Sequence, residues 1–324
     1  MNINEGLARF GDLSFASAFG IYVLAMVLSV FDLAGSRTKK LEMQTVVGAH
    51  TSNSTPQSAP GTPGKVVDPA HRTMAERCGR TAVSLCAIGF GFNVAAIILR
   101  GLATERWPLG NLYEYALFLC AVTVGGWLLV MTKHPVRALT TFMLVPVIIL
   151  LFVAASAMYA APAPLIPALR SYWIAIHVTV IVTASGILLL ASLTSLLFLI
   201  AQKVPDSKHP LVRKLSSLLP TYDILDRVSY RMTIIGFPLY SVGVICGAIW
   251  AEAAWGRFWG WDPKETVSFI AWVIYAAYLH SRATSGWAKT RAAWINIAAL
   301  CVMLFNLFFI NFVISGLHSY AGLN

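Results

Sequence analysis

Eight apolar runs, most of them near the roughly 20 residues a helix needs to cross a bilayer core, leave this chain few ways to fold. They cover about Ser14–Leu33, Thr81–Leu99, Leu112–Met131, Ala138–Met158, Trp173–Leu199, Ile234–Trp250, Thr266–His280 and Ala293–Ser315. The seventh is short and the fifth long. Only 12% of residues are charged, about half of what a soluble domain carries, and mean hydropathy is +0.70. Backbone crossing lipid must satisfy its own hydrogen bonds, so runs of this length become helices. The expected fold is all-α: a polytopic bundle of about eight transmembrane helices. The first run is read as a retained span, because Met1–Asp12 lacks a basic cluster and the run exceeds a signal core.

The formal net charge of +10 follows from topology and implies no nucleic-acid partner. When alternate loops are assigned to opposite sides, one side holds only Arg9, Arg100, Arg106, Arg170, Arg257 and Lys264, and the other holds the rest of the 24 Lys and Arg. Cytoplasmic loops concentrate these residues, which puts both termini on the outer face. The five cysteines form no C-x-x-C pair, so neither a thioredoxin-like redox pair nor a c-type haem attachment site is encoded. They read as small buried hydrophobes.

Three regions follow. Residues 1–34 form an N-terminal transmembrane helix. Residues 35–80 form a cytoplasmic loop whose middle, Thr51–Gly64, is a Pro/Gly/Ser tract too polar to offset its ordering by burial, so largely disordered. Residues 81–324 form a seven-helix domain. A second cytoplasmic segment, 202–232, mixes apolar and charged residues at helical spacing and fits an interfacial helix or a solvated one.

The loop between the sixth and seventh runs, within 250–265, holds Trp255, Gly256, Arg257, Trp259, Gly260 and Trp261, then Asp262, Pro263 and Glu265. Its end reads as a helix start with Asp262 as N-cap, Pro263 at N1 and Glu265 at N3. That capping task is compatible with Asp262 also facing a ligand. Three indoles at a membrane surface suggest an aromatic platform for a large planar ligand.

The histidines narrow the ligand. His50, His71, His134 and His209 lie in cytoplasmic loops and read as solvated. His177 opens the fifth span, and His318 follows the eighth, both on the side of the tryptophan loop. Two neutral imidazoles flanking an aromatic platform suit axial ligation of haem iron, whereas a zinc set is not visible there. His280 closes the seventh span, on the order of 25 Å away along its helix. It is either an interfacial residue or part of a second haem station whose other ligand comes from a partner subunit. Arg257 and Arg282 suit haem propionates through charge-assisted hydrogen bonds, and equally suit topology or surface charge.

With those residues in hand, the chain resembles the CcsA/ResC-type cytochrome c synthase subunits of the haem-handling WWD family over about residues 80–322. The likeness rests on Pro108–Glu114, Ile176–Val178, Gly236–Pro238 through Trp250, Trp255–Asp262, Tyr278–Arg282 and Gly316–Ala321. The resemblance implies His177 and His318 as external ligands of haem iron and His280 as a transmembrane one. It implies haem b as the transported substrate, held on Trp255, Gly256, Trp259, Trp261 and Asp262 with its vinyl groups presented. A Ccs1/ResB-type membrane subunit, apocytochrome c and thiol-reducing thioredoxin-like proteins are the implied partners. The reaction it implies is thioether formation on Cys-x-x-Cys-His segments, catalysed mainly by orientation. A haem exporter or chaperone without ligation, and a redox subunit with bis-histidine haems, are the rival readings. The expected location is the bacterial plasma membrane, ahead of the thylakoid.

Overall fold

Most of the apolar runs sit inside helices longer than themselves. The computed structural model describes residues 3–50, 73–165, 169–203, 219–284, 289–314 and 316–317, with side chains only to residue 35 in the first stretch. The long helices are α1 (Glu5–His50), α2 (Met74–Thr104), α3 (Leu112–Lys133), α4 (Thr140–Ala157), α5 (Tyr172–Lys203), α6 (Tyr222–Trp255), α7 (Pro263–Ala283) and α8 (Lys289–Leu307). A 3-10 turn at Arg137–Leu139 precedes α4, and a single turn, α9 (Phe309–Phe312), follows α8. No strand occurs among the described residues.

Among the described residues, seven of the eight long helices are apolar enough to cross a membrane. The exception is α7, whose 21 residues give ample length but which begins with Lys264 and Glu265 and ends with His280 and Arg282. Residues 36–50, expected in a loop, continue α1 as helix. The tract 51–64 lies outside the described residues. Residues 223–231, expected in a helix leading into the sixth span, are the first turns of α6 itself.

Helix starts follow from local chemistry. Thr73 caps α2 by accepting from the Glu76 N–H (3.3 Å), and Asn111 caps α3 by accepting from the Glu114 N–H (2.9 Å). Packing pairs α1 with α2, α5 with α6 and α7 with α8, while α3 and α8 also lie on α5. A buried polar knot ties the centre together: Asn296 of α8 accepts from Ser192 of α5 (2.7 Å) and donates to Ser229 (3.2 Å) and Thr233 (3.1 Å) of α6. Within an apolar bundle such bonds fix which helix faces meet. Arg137 is bidentate to Asp32 of α1, both bonds 2.9 Å. Of the cysteines, all unpaired, Cys86, Cys120 and Cys246 are buried, Cys78 is half-buried and Cys301 is exposed.

The crossing of α5 and α6 positions the site. Gly243 and Gly247 sit four residues apart on α6, facing Ile181 and His177, also four apart on α5. A Cβ on Gly243 would lie 2.8 Å from Ile181 Cδ1, and one on Gly247 would lie 2.7 Å from His177 Cε1. The missing side chains let the two backbones approach, as G-x-x-x-G pairs do in membrane helices.

Candidate functional site

The tryptophan loop is a tightly tied hairpin between α6 and α7. Gly256 ends α6 in the left-handed region (φ 69°), its N–H donating to the Glu252 carbonyl (2.8 Å). The guanidinium of Arg257 lies across Gly260 and occupies the space where a Cβ would stand. Trp261 also has positive φ (56°), unusual for an aromatic residue and sustained by the bonds around it. Glu265 reaches back to accept from the N–H groups of Gly260 (2.8 Å) and Asp262 (3.1 Å), while Asp262 accepts from the Lys264 N–H (3.2 Å). The capping box expected from Asp262, Pro263 and Glu265 is therefore present.

Asp262 does more than cap. Its Oδ1 accepts from the Leu317 N–H (2.9 Å), and a Cβ on Gly316 would stand 2.9 Å from the same oxygen. The loop is thereby fastened to the residue immediately before His318. Asp262→Ala removes both bonds; the cap alone is worth about 1 kcal/mol. The expected result is a lower unfolding temperature in detergent for Asp262→Ala, with Asp262→Asn in between, because its one amide oxygen can keep only one of the two bonds. Thermal unfolding of the purified protein reads the difference.

Beside the loop is a cavity with about 1460 Å³ of empty space, its open mouth included. The walls are mainly apolar and come from the 109–112 turn, α5, α6, the loop and α8. His177 lines it, and its ring lies parallel to that of Trp250 (6° between planes, centroids 6.1 Å apart). His177 Nδ1 is 2.8 Å from the carbonyl oxygen of Gly243. A carbonyl only accepts, so the proton is on Nδ1 and the metal-ligating lone pair is on Nε2. Lys264, at the loop end of α7 ahead of the apolar run, also lines the cavity and donates to Asn311 Oδ1 (2.6 Å). Burial pushes its ammonium down to about 8, partly offset by the charge of Asp262.

The expected site residues separate. His177 and Trp259 line the cavity, whereas Trp255 and Trp261 are outside its lining. Trp255 packs edge-on against Trp250 (4.7 Å), which is 1% exposed, and Trp261, 66% exposed, stands perpendicular to Trp259 (5.8 Å). The three indoles form a wall, a buttress and an outward face, not one flat shelf. Asp262 is buried beside them. His280 lies exposed at the other end of α7, and its carbonyl accepts from Thr284. Arg282 is bidentate to Asp226 (2.5 and 3.1 Å), next to Tyr230. His318 lies outside the described residues.

Trp250 and the Gly243–Gly247 pair carry the His177 geometry, yet they sit in an apolar run where only the four-residue glycine spacing marks them. On the facing wall, Glu114 accepts from Arg100 (3.0 Å), twice from Arg106 (2.9 Å each) and from the Gly110 N–H (2.7 Å). Arg100 also donates to the Ala160 carbonyl and stacks over Tyr113. This knot shapes the turn that forms the rim.

A family model described as "Cytochrome C assembly protein" matches residues 109–318, which spans the loop, most of the cavity walls and His177, His280 and His318. The chain belongs to this family. Similar curated proteins include the "Cytochrome c biogenesis protein CcsA" of Guillardia theta, 35% identical, with 73% of this chain and 86% of that protein covered. That of Gloeobacter violaceus is 34% identical, with 73% and 87% covered. Among solved structures, "Cytochrome c Heme Lyase CcmF" matches in fold with a TM-score of 0.63 at 16% identity, over 93% of this chain and 46% of that one. This cytochrome c assembly protein is thus a multi-span membrane protein that acts in the maturation of c-type cytochromes, a process that involves haem, apocytochrome c and other biogenesis components.

Proposed function

We propose that this chain receives haem b at its cavity and presents it for covalent attachment to apocytochrome c, as the haem-holding subunit of a haem lyase. The observation that carries the reading is His177: a cavity-lining imidazole whose proton is committed to the Gly243 carbonyl, which leaves the ligating lone pair on Nε2. Asp262 supports His318 as the second axial ligand, because it fastens the residue next to it to the tryptophan loop. Trp259 walls the cavity, Trp255 and Gly256 support the turn from α6, and Trp261 with Phe258 offers an exposed aromatic face to the incoming polypeptide. The chemistry is redox-neutral: each cysteine S–H adds across a vinyl C=C, sulfur bonding to one carbon and the proton passing to the other. Haem supplies the reactive bonds, and the chain contributes orientation and exclusion of water.

His280 serves an earlier station in transit, paired with a ligand from a Ccs1/ResB-type membrane subunit. Thiol-reducing thioredoxin-like proteins keep the apocytochrome cysteines reduced. The distribution of basic residues supports a cavity on the outer face, with both termini on that face; the long polar tract at 51–64 favours a bacterial plasma membrane as the site. Residues 81–324 make up the haem-handling unit, and α1 with the segment to residue 80 is an accessory to it.

Co-expression with the partner subunit and a Cys-x-x-Cys-His apocytochrome, in a host without its own maturation system, tests this. His177→Ala and His318→Ala are each expected to alter the bound-haem spectrum and abolish holocytochrome. Normal spectra and output from both variants would sink the ligand assignment. Bound haem without covalent product in the wild type would reduce the role to carriage.

A further inference from the structure

We propose that Lys264 is the anchor for a carboxylate of the ligand that enters this cavity, a haem propionate on the reading above, on which this inference rests. Lys264 occupies the second position of α7, where a cation opposes the helix dipole. An ammonium carries three donors, and among the described residues the hydrogen bond of the Lys264 ammonium goes to the neutral Asn311 Oδ1. No carboxylate among the described residues lies within ion-pair distance of its Nζ. Its place on the wall is therefore unfavourable twice over, against the dipole and without an anion in direct contact, the charge of Asp262 acting on it only from a distance.

A second polar atom in the same wall is also unsatisfied. Asn306 lines the cavity and donates its Nδ2 to Ser268 Oγ (2.8 Å) and the Lys264 carbonyl (3.4 Å), yet its buried Oδ1 has no partner among the described residues. Unsatisfied buried acceptors are rare and mark missing water or ligand. The wall thus offers spare N–H donors from Lys264 beside a spare acceptor from Asn306, a combination that suits a carboxylate together with its bridging water. The rest of the lining is mostly apolar, so this pole sets which way a ligand with one anionic edge lies. With the propionate edge held here, the opposite, vinyl-bearing edge is turned away. Lys264 is a positioning residue for the attachment step, not a participant in it.

The test uses the full-length protein in detergent, titrated with haem and with haem whose two propionates are methyl esters, and followed by Soret absorbance. Lys264→Met, which keeps the side-chain length, is expected to weaken haem binding roughly ten- to a hundredfold, as loss of a charged hydrogen bond does, and to leave diester binding unchanged. Lys264→Arg restores most of the haem affinity. Equal loss toward both porphyrins, or no loss toward haem, would overturn the anchor, since a merely structural lysine does not distinguish acid from ester. Wild-type protein that binds neither porphyrin, or binds haem independently of His177, would overturn the haem reading and the anchor with it.

Discussion

Gly247→Ala is expected to cost this protein roughly ten- to a hundredfold in haem occupancy, the usual cost of disturbing the groups that orient a metal-ligating histidine. The added methyl would stand 2.7 Å from His177 Cε1 and 2.9 Å from Nδ1, whereas non-bonded carbons settle at about 3.5–4.0 Å. Either the imidazole turns and loses its 2.8 Å bond to the Gly243 carbonyl, or α6 moves off α5. The second response would undo the close backbone approach that Gly243 allows against Ile181. Moving the ring frees the tautomer as well as the position, so haem bound by the variant should show an altered ligand spectrum as well as a lower amount. Gly91→Ala is the control, because a Cβ there meets nothing within 4 Å. Its spectrum, haem content and holocytochrome yield should match the wild type. Matching values for Gly247→Ala would mean that His177 is not held in the way the crossing of α5 and α6 suggests.

The same crossing shows what a one-dimensional reading can reach. Helices announce themselves through runs of hydropathy, and the start of α7 through Asp262, Pro263 and Glu265, because these signals are local in sequence. His177 is visible as an ionisable residue at the end of an apolar run. What holds it is not: Gly243, Gly247 and Trp250 belong to a different helix and look like ordinary membrane residues until the two helices are laid together. Trp255, Trp259 and Trp261 illustrate the converse. Their clustering is plain in the sequence, but whether clustered rings form one plane depends on backbone and side-chain angles: Trp261 has positive φ, and its ring stands perpendicular to that of Trp259. Arg282 had two plausible fates from sequence alone, and the partner that decides between them, Asp226, lies on α6. The far end of α1 is a different case: Arg37, Lys39 and Lys40 mark a loop by charge, yet the helix continues through them, since charge ends a membrane span without ending a helix.

The largest effect on stability is expected from Glu114→Ala. Its carboxylate is 1% exposed and serves Arg100 and Arg106, themselves 4% and 9% exposed, as well as the Gly110 N–H. Removing it leaves two guanidinium groups desolvated at the rim. Arg100 keeps Asp12 at 3.8 Å and Arg106 keeps the carbonyls of Ala163 (2.9 Å) and Trp107 (3.0 Å), which are weaker substitutes for an anion at the centre. Breaking a buried ion pair from one side typically costs about 3–5 kcal/mol, most of it the penalty of the stranded charge. The variant should therefore unfold at a clearly lower temperature in detergent and accumulate poorly. Much of that loss belongs to the arginines and not to the carboxylate, and this gives the sharper test. Combining Glu114→Met with Arg106→Met removes one stranded charge, so the double variant should be less destabilised than the sum of the two single changes, a coupling that additive contacts would not produce. An additive result would assign Glu114 to packing alone. The Gly110–Asn111 turn would then hold the cavity rim through its backbone, without help from the charges beneath it.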